Sequence, residues 1–217
     1  MLNIDIVADI VCPWCFIGKR RLETAIALVR EELPNFEYST CWRPFFLNPD
    51  TPPEGEPYLP FLEAKFGSRE AVEALFDRVR DAGKAYGIDY AFEKINVRAN
   101  TFQAHRLLYW AQQHGSADAL IERLFVAQFQ RGEHVGDGAV LVRIAAECGY
   151  PAADVAAYLS STTDAELVLA DAREIRNMGV RMVPTFILED EQIIVGAEDP
   201  SVLAEAILQL ARSGKGR

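Results

Sequence analysis

Two of the four cysteines stand three residues apart, in the segment Cys12-Pro13-Trp14-Cys15. They follow an alternating apolar run, Leu2 to Ala8, and precede a helical pattern, which places them in the first turn of a helix. The unpaired N–H groups and the dipole of a helix start favour a negatively charged sulfur, and proline suits the first helical position. Side chains three apart on a helix have Cβ atoms about 5 to 6 Å apart, a spacing that a disulfide can bridge. The segment therefore predicts a redox-active dithiol.

Two alternatives to a redox-active dithiol are a chance spacing of cysteines within a core and a zinc site. Four cysteines scattered over 217 positions give this spacing in roughly one shuffle in twenty, but coincidence does not supply the preceding strand, the following helix and the proline. Zinc needs four nitrogen or sulfur ligands. The sequence has no second CxxC and no HxxxH motif, and its histidines are dispersed. We therefore predict that the chain binds no metal.

Composition limits the classes of partner. The chain has 217 residues, half of them apolar, which is enough for a substantial core. Its formal net charge of -10 argues against nucleic acid or an anionic membrane as partner. No stretch approaches the ~20 consecutive apolar residues of a membrane-spanning helix, and the N-terminal segment lacks signal-peptide features. We therefore expect a cytoplasmic protein, in which a CxxC pair is more often catalytic than structural.

The first part of the chain predicts a strand, a helix and a second strand. The second strand is indicated by Phe36, Tyr38, Thr40 and Trp42, which alternate with more polar residues. A βαβ unit of this kind has parallel strands and a right-handed crossover. A proline-rich segment follows and marks a boundary.

The middle of the chain predicts a separate helical domain. From Tyr58 to about Leu159, apolar residues recur almost throughout at helical spacing, and glycines stand at suitable helix ends. We predict an all-helical domain over residues 51–159, inserted after the second strand into a domain made of residues 1–50 and 160–217.

The last part of the chain predicts a return to strands. Thr163 and Glu166 form a capping box for a helix through Met178, with Gly179 as its C′ residue. The remaining expected elements are strands at 185–188 and 192–195 paired as an antiparallel hairpin, a helix from about residue 200 and a loose tail from Ser213 to Arg217. The predicted order, β-α-β, helical insertion, α-β-β-α, belongs to the α/β class.

This order of elements resembles a thioredoxin fold with a helical domain inserted after its second strand, the arrangement of the DsbA family. Within that family the chain is similar to the cytosolic FrnE-like proteins. The segments that carry the resemblance are Asp9–Lys19 (DIVCPWCFIGK), Trp42–Pro49 (WRPFFLNP), Asn100–Arg106 (NTFQAHR) and Val183–Thr185 (VPT). The resemblance implies a thiol-disulfide oxidoreductase.

The resemblance also implies roles for Val183 and Pro184. Pro184 would be a cis proline facing the cysteine pair. A rigid turn or strand-start proline is the alternative, since only about 5 to 6% of X-Pro bonds in folded proteins are cis. The backbone of Val183 would offer an edge to which an extended substrate adds by strand pairing, with the substrate sulfur over Cys12.

Three residues of the helical insertion, Asn100, His105 and Arg106, are placed beside the active site by the same resemblance. His105 has an alternative as an ordinary helix residue solvated at the surface. Trp14 departs from the CPHC segment of the periplasmic oxidant, which argues against a strongly oxidising potential. Its indole offers substrate an apolar contact surface, or simply packs within the protein.

The expected chemistry is thiol-disulfide exchange. Cys12, the more exposed thiol, should attack with a pKa lowered from about 8.5 towards roughly 3.5 to 7.5. Cys15 then resolves the mixed disulfide, so no metal or organic cofactor is needed. Asp9 is either a relay for the Cys15 proton or a solvated strand-end acid. Cys41 and Cys148 are predicted to pack in the core.

The expected partners are proteins or small molecules that carry a thiol or a disulfide, with glutathione as a candidate co-substrate. The sequence is compatible with either a monomer or a homodimer.

A second hypothesis is a glutathione-dependent isomerase or transferase, because the topology also resembles 2-hydroxychromene-2-carboxylate isomerases and kappa-class glutathione transferases. In those proteins serine replaces Cys12. A third is a redox-sensitive chaperone or binding module. In that case an apolar surface would be formed by Phe61, Phe66, Tyr86, Tyr90 and Phe92. The alternative is that these aromatic residues belong to the core.

Overall fold

The secondary structure is taken from a computed structural model that describes residues 1–213. The strands are β1 (Leu2–Ala8), β2 (Tyr38–Pro44), β3 (Glu56–Pro57), β4 (Val97–Arg98), β5 (Thr185–Leu188) and β6 (Gln192–Val195). The α-helices are α1 (Pro13–Glu32), α2 (Tyr58–Phe66), α3 (Arg69–Lys84), α4 (Phe102–Gln113), α5 (Asp118–Val126), α6 (Gly138–Glu147), α7 (Ala152–Ser160), α8 (Ala165–Asn177) and α9 (Pro200–Arg212). Residues 214–217, part of the predicted tail, lie outside the described residues.

The chain divides into two units. One consists of Met1–Phe45 and Asp171–Arg217, and we call it the sheet unit. The other, Phe46–Ala170, is the helical unit. The divisions fall at 45/46 and 170/171, where the sequence pattern led us to expect 50/51 and 159/160.

A four-stranded sheet with the order β2-β1-β5-β6 forms the centre of the sheet unit. β1 and β2 are parallel, as the βαβ pattern predicts. β5 runs antiparallel to β1 and pairs with β6 in the predicted hairpin. The central strands β1 and β5 are buried over most of their length; the exceptions are Asn3, which is exposed, and Asp5, which is partly buried.

Each face of this sheet is covered by helix. On one face α1 packs against α9, and the side chain of Phe186 in β5 points towards α1. On the other face a buried cluster joins the strands to α8: Val7, Phe45, Ile175, Val180 and Ile187. Burial of side chains this large contributes about 1.5 to 3 kcal/mol each. The end of β1, where the cysteine segment begins, is therefore held from both sides.

The helical unit is not all-helical, which corrects the prediction for residues 51–159. β3 and β4 form a two-residue antiparallel ladder. A 3-10 turn covers Phe92–Lys94, and a π-helical turn covers Ala127–Arg131. Strands of two residues are too short to show a period-two pattern in sequence.

The start of α8 also differs from the prediction. The helix begins at Ala165, one residue later than a Thr163 cap would give, because Asp164 adopts a left-handed φ of 59°. Asp tolerates this region better than most residues. The end agrees with the prediction, since Gly179 has a φ of 92° just after the helix.

Candidate functional site

The turn between β1 and α1 holds both cysteines of the CxxC segment. Cys12 is the N-cap residue of α1, and Pro13 lies in its first turn. The Cys12 N–H donates to the Asp9 carbonyl at 3.0 Å, and the Cys15 N–H donates to the Cys12 carbonyl at 3.0 Å. These bonds fix the turn at the positive end of the helix dipole, where a thiolate is favoured.

The two thiols lie near each other and are not joined as a disulfide. Cys12 is 5% exposed and Cys15 is 1% exposed, so Cys12 is the more accessible of two buried residues. Burial, followed by interaction with the Cys12 thiol, raises the pKa of the Cys15 thiol well above its ordinary value. Cys15 is therefore protonated at neutral pH, which suits a resolving thiol.

The segment that precedes β5 lies against Cys12. The Val183–Pro184 peptide bond is cis, as the resemblance implies, and the Cys12 thiol donates to the Val183 carbonyl with an S···O distance of 3.7 Å. The Thr185 hydroxyl donates to the Met182 carbonyl at 2.7 Å and holds the turn. Val183 is partly exposed, and its N–H has no acceptor within residues 1–213.

Gly18 allows α1 to approach this segment, and it is a site residue that the sequence reasoning missed. A Cβ at position 18 would lie 2.7 Å from Cγ of Pro184 and 3.3 Å from Cζ of Phe186. Neither neighbour is the free end of a flexible chain, so only glycine fits. The available signal was a glycine inside a helix, where it costs about 1 kcal/mol relative to alanine.

Asp9 and Trp14 flank the cysteines. Asp9 is 1% exposed, so the alternative of a solvated strand-end acid is wrong. Asp9 acts on the pKa of Cys15 in two opposed ways: a hydrogen bond with its backbone lowers that pKa, and the charge of its carboxylate raises it. Trp14 is partly exposed, as is Pro13. Trp14 thus has surface available for a partner.

Asn100 and His105 lie at the start of α4 in the helical unit. The Asn100 amide donates to the Thr51 carbonyl at 2.7 Å and accepts the Phe102 N–H at 3.0 Å. His105 is 4% exposed and makes an edge-on contact with the Phe46 ring, with centroids 5.2 Å apart. The surface-solvated alternative for His105 is therefore wrong.

Arg106, which follows in α4, is 1% exposed. Its guanidinium donates to the carbonyls of Tyr158, Leu159 and Thr163, and these groups lie at or just beyond the end of α7. Arg106 thus donates to carbonyls at and just beyond the C-terminal end of α7, where the helix no longer supplies N–H partners for all of them. No local sequence signal pointed to this contact. The predicted substrate-binding or site-shaping role of Asn100, His105 and Arg106 stays a prediction.

The other two cysteines are less buried than predicted. Cys41 is exposed on the edge strand β2, so the prediction of core packing was wrong for it. Desolvation of the thiol, followed by the charge of Asp5, raises the pKa of Cys41 to about 11. Cys148 is partly exposed at the C-terminal cap of α6, with its sulfur 3.5 Å from the Ala119 carbonyl.

Comparison with known families decides the classification. The model of the DSBA-like thioredoxin domain matches residues 3–208. The chain belongs to that family. The assignment confirms the resemblance to DsbA proteins and the α/β thioredoxin-like fold with a helical insertion. Members of the DsbA-like family are disulfide oxidoreductases or isomerases, which act on thiol or disulfide substrates.

Three solved structures show how far the likeness of this DsbA-family chain extends. A probable DsbA oxidoreductase from Streptomyces coelicolor is 31% identical, with a TM-score of 0.89 over 98% of this chain and 91% of that one. The cytosolic disulfide reductase DsbM from Pseudomonas aeruginosa with GSH is 16% identical, with a TM-score of 0.68 over 97% and 100%. A 2-hydroxychromene-2-carboxylate isomerase is 15% identical, with a TM-score of 0.65 over 98% and 98%. The likeness to the last two structures is a likeness of fold alone.

Within residues 1–213, no helix of this DsbA-family chain has the length and apolar character that crossing a membrane demands. No group of three or more His, Cys, Asp or Glu side chains there is arranged to hold a metal ion.

Proposed function

We propose that the protein is a dithiol-disulfide oxidoreductase in which Cys12 attacks and Cys15 resolves. The observation that carries the proposal is the pair of neighbouring thiols at the N-terminus of α1. The raised pKa of Cys15 supports the division of labour, because only a thiolate attacks a disulfide.

The reaction has two exchange steps. The Cys12 thiolate attacks one sulfur of a substrate disulfide, forms a mixed disulfide and releases the other substrate sulfur as a thiolate, which takes up a proton. Cys15 then loses its proton and attacks the Cys12 sulfur. The second substrate thiol leaves, and the Cys12–Cys15 disulfide remains. Two electrons have passed from the enzyme to the substrate, and the reverse sequence oxidises a dithiol.

The backbone of Val183 supports a docking mode for the substrate. Its N–H has no acceptor within the described residues, and its carbonyl contacts the Cys12 thiol. An extended substrate segment can pair with both groups, which places its sulfur next to Cys12. The partly exposed Trp14 then offers apolar contact beside the disulfide.

Partners, location and cofactor use are also part of this proposal. The substrates are proteins or small molecules with a thiol or a disulfide, and glutathione is the candidate electron donor or acceptor. We place the activity in the cytoplasm. Because both exchange steps use only protein and substrate sulfur, the cycle needs no metal or organic cofactor. The glutathione-dependent isomerase and the redox-sensitive chaperone stay alternatives that no observation favours. Of the aromatic residues named for the chaperone, Tyr90 and Phe92 are buried, while Phe66 is 44% exposed.

A redox titration of the whole protein tests the function. In glutathione buffers, we expect one reversible two-electron transition between dithiol and disulfide. Alkylation of the free thiols and mass spectrometry measure the fraction of each form. Its midpoint should lie between about -270 mV, the thioredoxin value, and about -120 mV, the DsbA value. The control is a Cys41→Ser, Cys148→Ser double variant, which should titrate like the wild type. A protein that stays fully dithiol in oxidised glutathione would sink the proposal.

The resolving step is expected to accelerate with pH. The pKa of Cys15 is raised, first by burial, so its thiolate fraction grows about tenfold per pH unit below that pKa. The rate at which a preformed mixed disulfide on Cys12 is resolved should therefore rise steadily from pH 6 to 9 in stopped-flow experiments. Removal of the carboxylate in Asp9→Asn should slow this step about 100-fold if Asp9 takes the proton. If Asp9 acts only through its charge, the variant resolves faster, and that result would exclude a relay.

A further inference from the structure

A cleft of about 360 Å³ lies within the helical unit, beside the start of α4. Its volume falls in the range of roughly 300 to 1,000 Å³ that small-molecule sites occupy. The wall combines apolar side chains with a few polar ones, and none of the lining residues carries a charge. No side chain of the wall would neutralise a buried charged ligand. The cleft therefore suits an uncharged molecule.

Two aromatic rings shape the apolar part of this cleft. Phe46 and Phe102 both line it, with ring centroids 6.3 Å apart and an interplanar angle of 49°. The buried His105 packs edge-on against Phe46 and fixes that ring. Tilted ring pairs of this kind accept a third ring in edge-to-face or offset contact. Leu169 of α8 closes another part of the wall.

The polar part contains a threonine side chain that makes no capping bond at the start of α4. Thr101 lines the cleft, is 5% exposed and occupies the N-cap position of α4, yet its side chain makes no capping bond. Asn100 instead accepts the Phe102 N–H at 3.0 Å. Within residues 1–213 the Thr101 hydroxyl has no partner. A ligand that supplies a partner for this hydroxyl gains a hydrogen bond on binding.

We infer that this cleft binds a small uncharged aromatic molecule with one hydroxyl or carbonyl group. The ring packs against Phe46 and Phe102 in edge-to-face or offset contact, and the polar atom bonds to the Thr101 hydroxyl. The partly exposed Asn48, which also lines the cleft, is a second hydrogen-bonding residue in its wall. The site uses neither Cys12 nor Cys15, so it goes beyond the proposed exchange reaction and stands or falls separately from it.

Calorimetric titration of the full chain with 2-naphthol tests the inference. Wild-type protein should bind 2-naphthol saturably, and a Cys12→Ser, Cys15→Ser variant should bind it equally well. Thr101→Val should weaken 2-naphthol binding about tenfold but leave naphthalene binding unchanged, because only the hydroxyl bond is lost. Equal affinity of Thr101→Val and wild type for 2-naphthol would overturn the assignment of Thr101.

A second test fills the cleft with a larger side chain. Leu169→Trp should abolish binding, whereas Leu167→Trp, on the same helix and 54% exposed, should leave it unchanged. A comparison that needs no variant is 2-naphthoate, which should bind wild type at least about tenfold more weakly than 2-naphthol because its charge has no partner. Absence of saturable 2-naphthol binding to wild type, or equal binding by Leu169→Trp, would overturn the site.

Discussion

Cys12→Ser is expected to abolish the turnover of a disulfide substrate, by at least ~10³-fold, whereas Cys15→Ser should stop the cycle after its first step. A serine hydroxyl is not ionised at neutral pH, so nothing attacks the substrate in the first variant. In the second variant Cys12 still attacks, but no thiol releases the product. Non-reducing mass spectrometry should therefore find Cys15→Ser as a mixed disulfide through Cys12 when it is incubated with a disulfide-bonded peptide.

Cys41→Ser is the matched control for the two active-site variants. Cys41 is exposed while Cys12 is only 5% exposed, so accessibility alone would make Cys41 the reactive thiol. The pKa of Cys41 is about 11 because of desolvation and the Asp5 charge, which leaves almost no thiolate at pH 7. Turnover should therefore be unchanged in Cys41→Ser. A mixed disulfide found mainly on Cys41 would reject the mechanism.

The active-site turn was accessible from sequence because its determinants are local. The apolar alternation of β1, the proline in the first turn and the helical spacing of α1 all lie within residues 2–32. The hairpin of β5 and β6 is local in the same way. The alternation of β2 also argued against a core position for Cys41. Cys41 pairs in register with Asp5 and lies on the face of the strand opposite Trp42.

The remaining features depend on contacts between distant parts of the chain. Arg106 is buried because it meets carbonyls more than 50 residues away, and no pattern around α4 encodes their position. β3 and β4 are each two residues long and are joined across about 40 residues. Gly18 belongs to the same class, because its neighbours Pro184 and Phe186 are remote in sequence. Such positions become visible only when the backbone path is known.

Gly18→Ala should destabilise the protein and slow catalysis, although alanine is the better helix former. In an unobstructed helix interior the change would stabilise by about 1 kcal/mol. Here the new Cβ would lie 2.7 Å from Pro184, and overpacking of this kind costs about 1 to 3 kcal/mol. Moving α1 away from Pro184 also separates Cys12 from Val183, and a displacement of ~1 Å at reacting groups lowers rates about 100-fold. Denaturant unfolding and disulfide turnover measure the two effects.

Gly138→Ala is the matched control for Gly18→Ala. It shows the general effect of replacing a helical glycine by alanine, without the contact between the new Cβ and Pro184. Gly138 is the first residue of α6, has no heavy atom within 4 Å of an added Cβ and has no left-handed φ. Its replacement should leave stability unchanged or slightly raised and turnover unaffected. If Gly18→Ala behaves like Gly138→Ala, α1 does not rest on Pro184, and the close approach of Cys12 to the Val183 backbone loses its structural basis. If only Gly18→Ala loses both stability and rate, the glycine is required because it brings the attacking thiol to the edge where substrate docks.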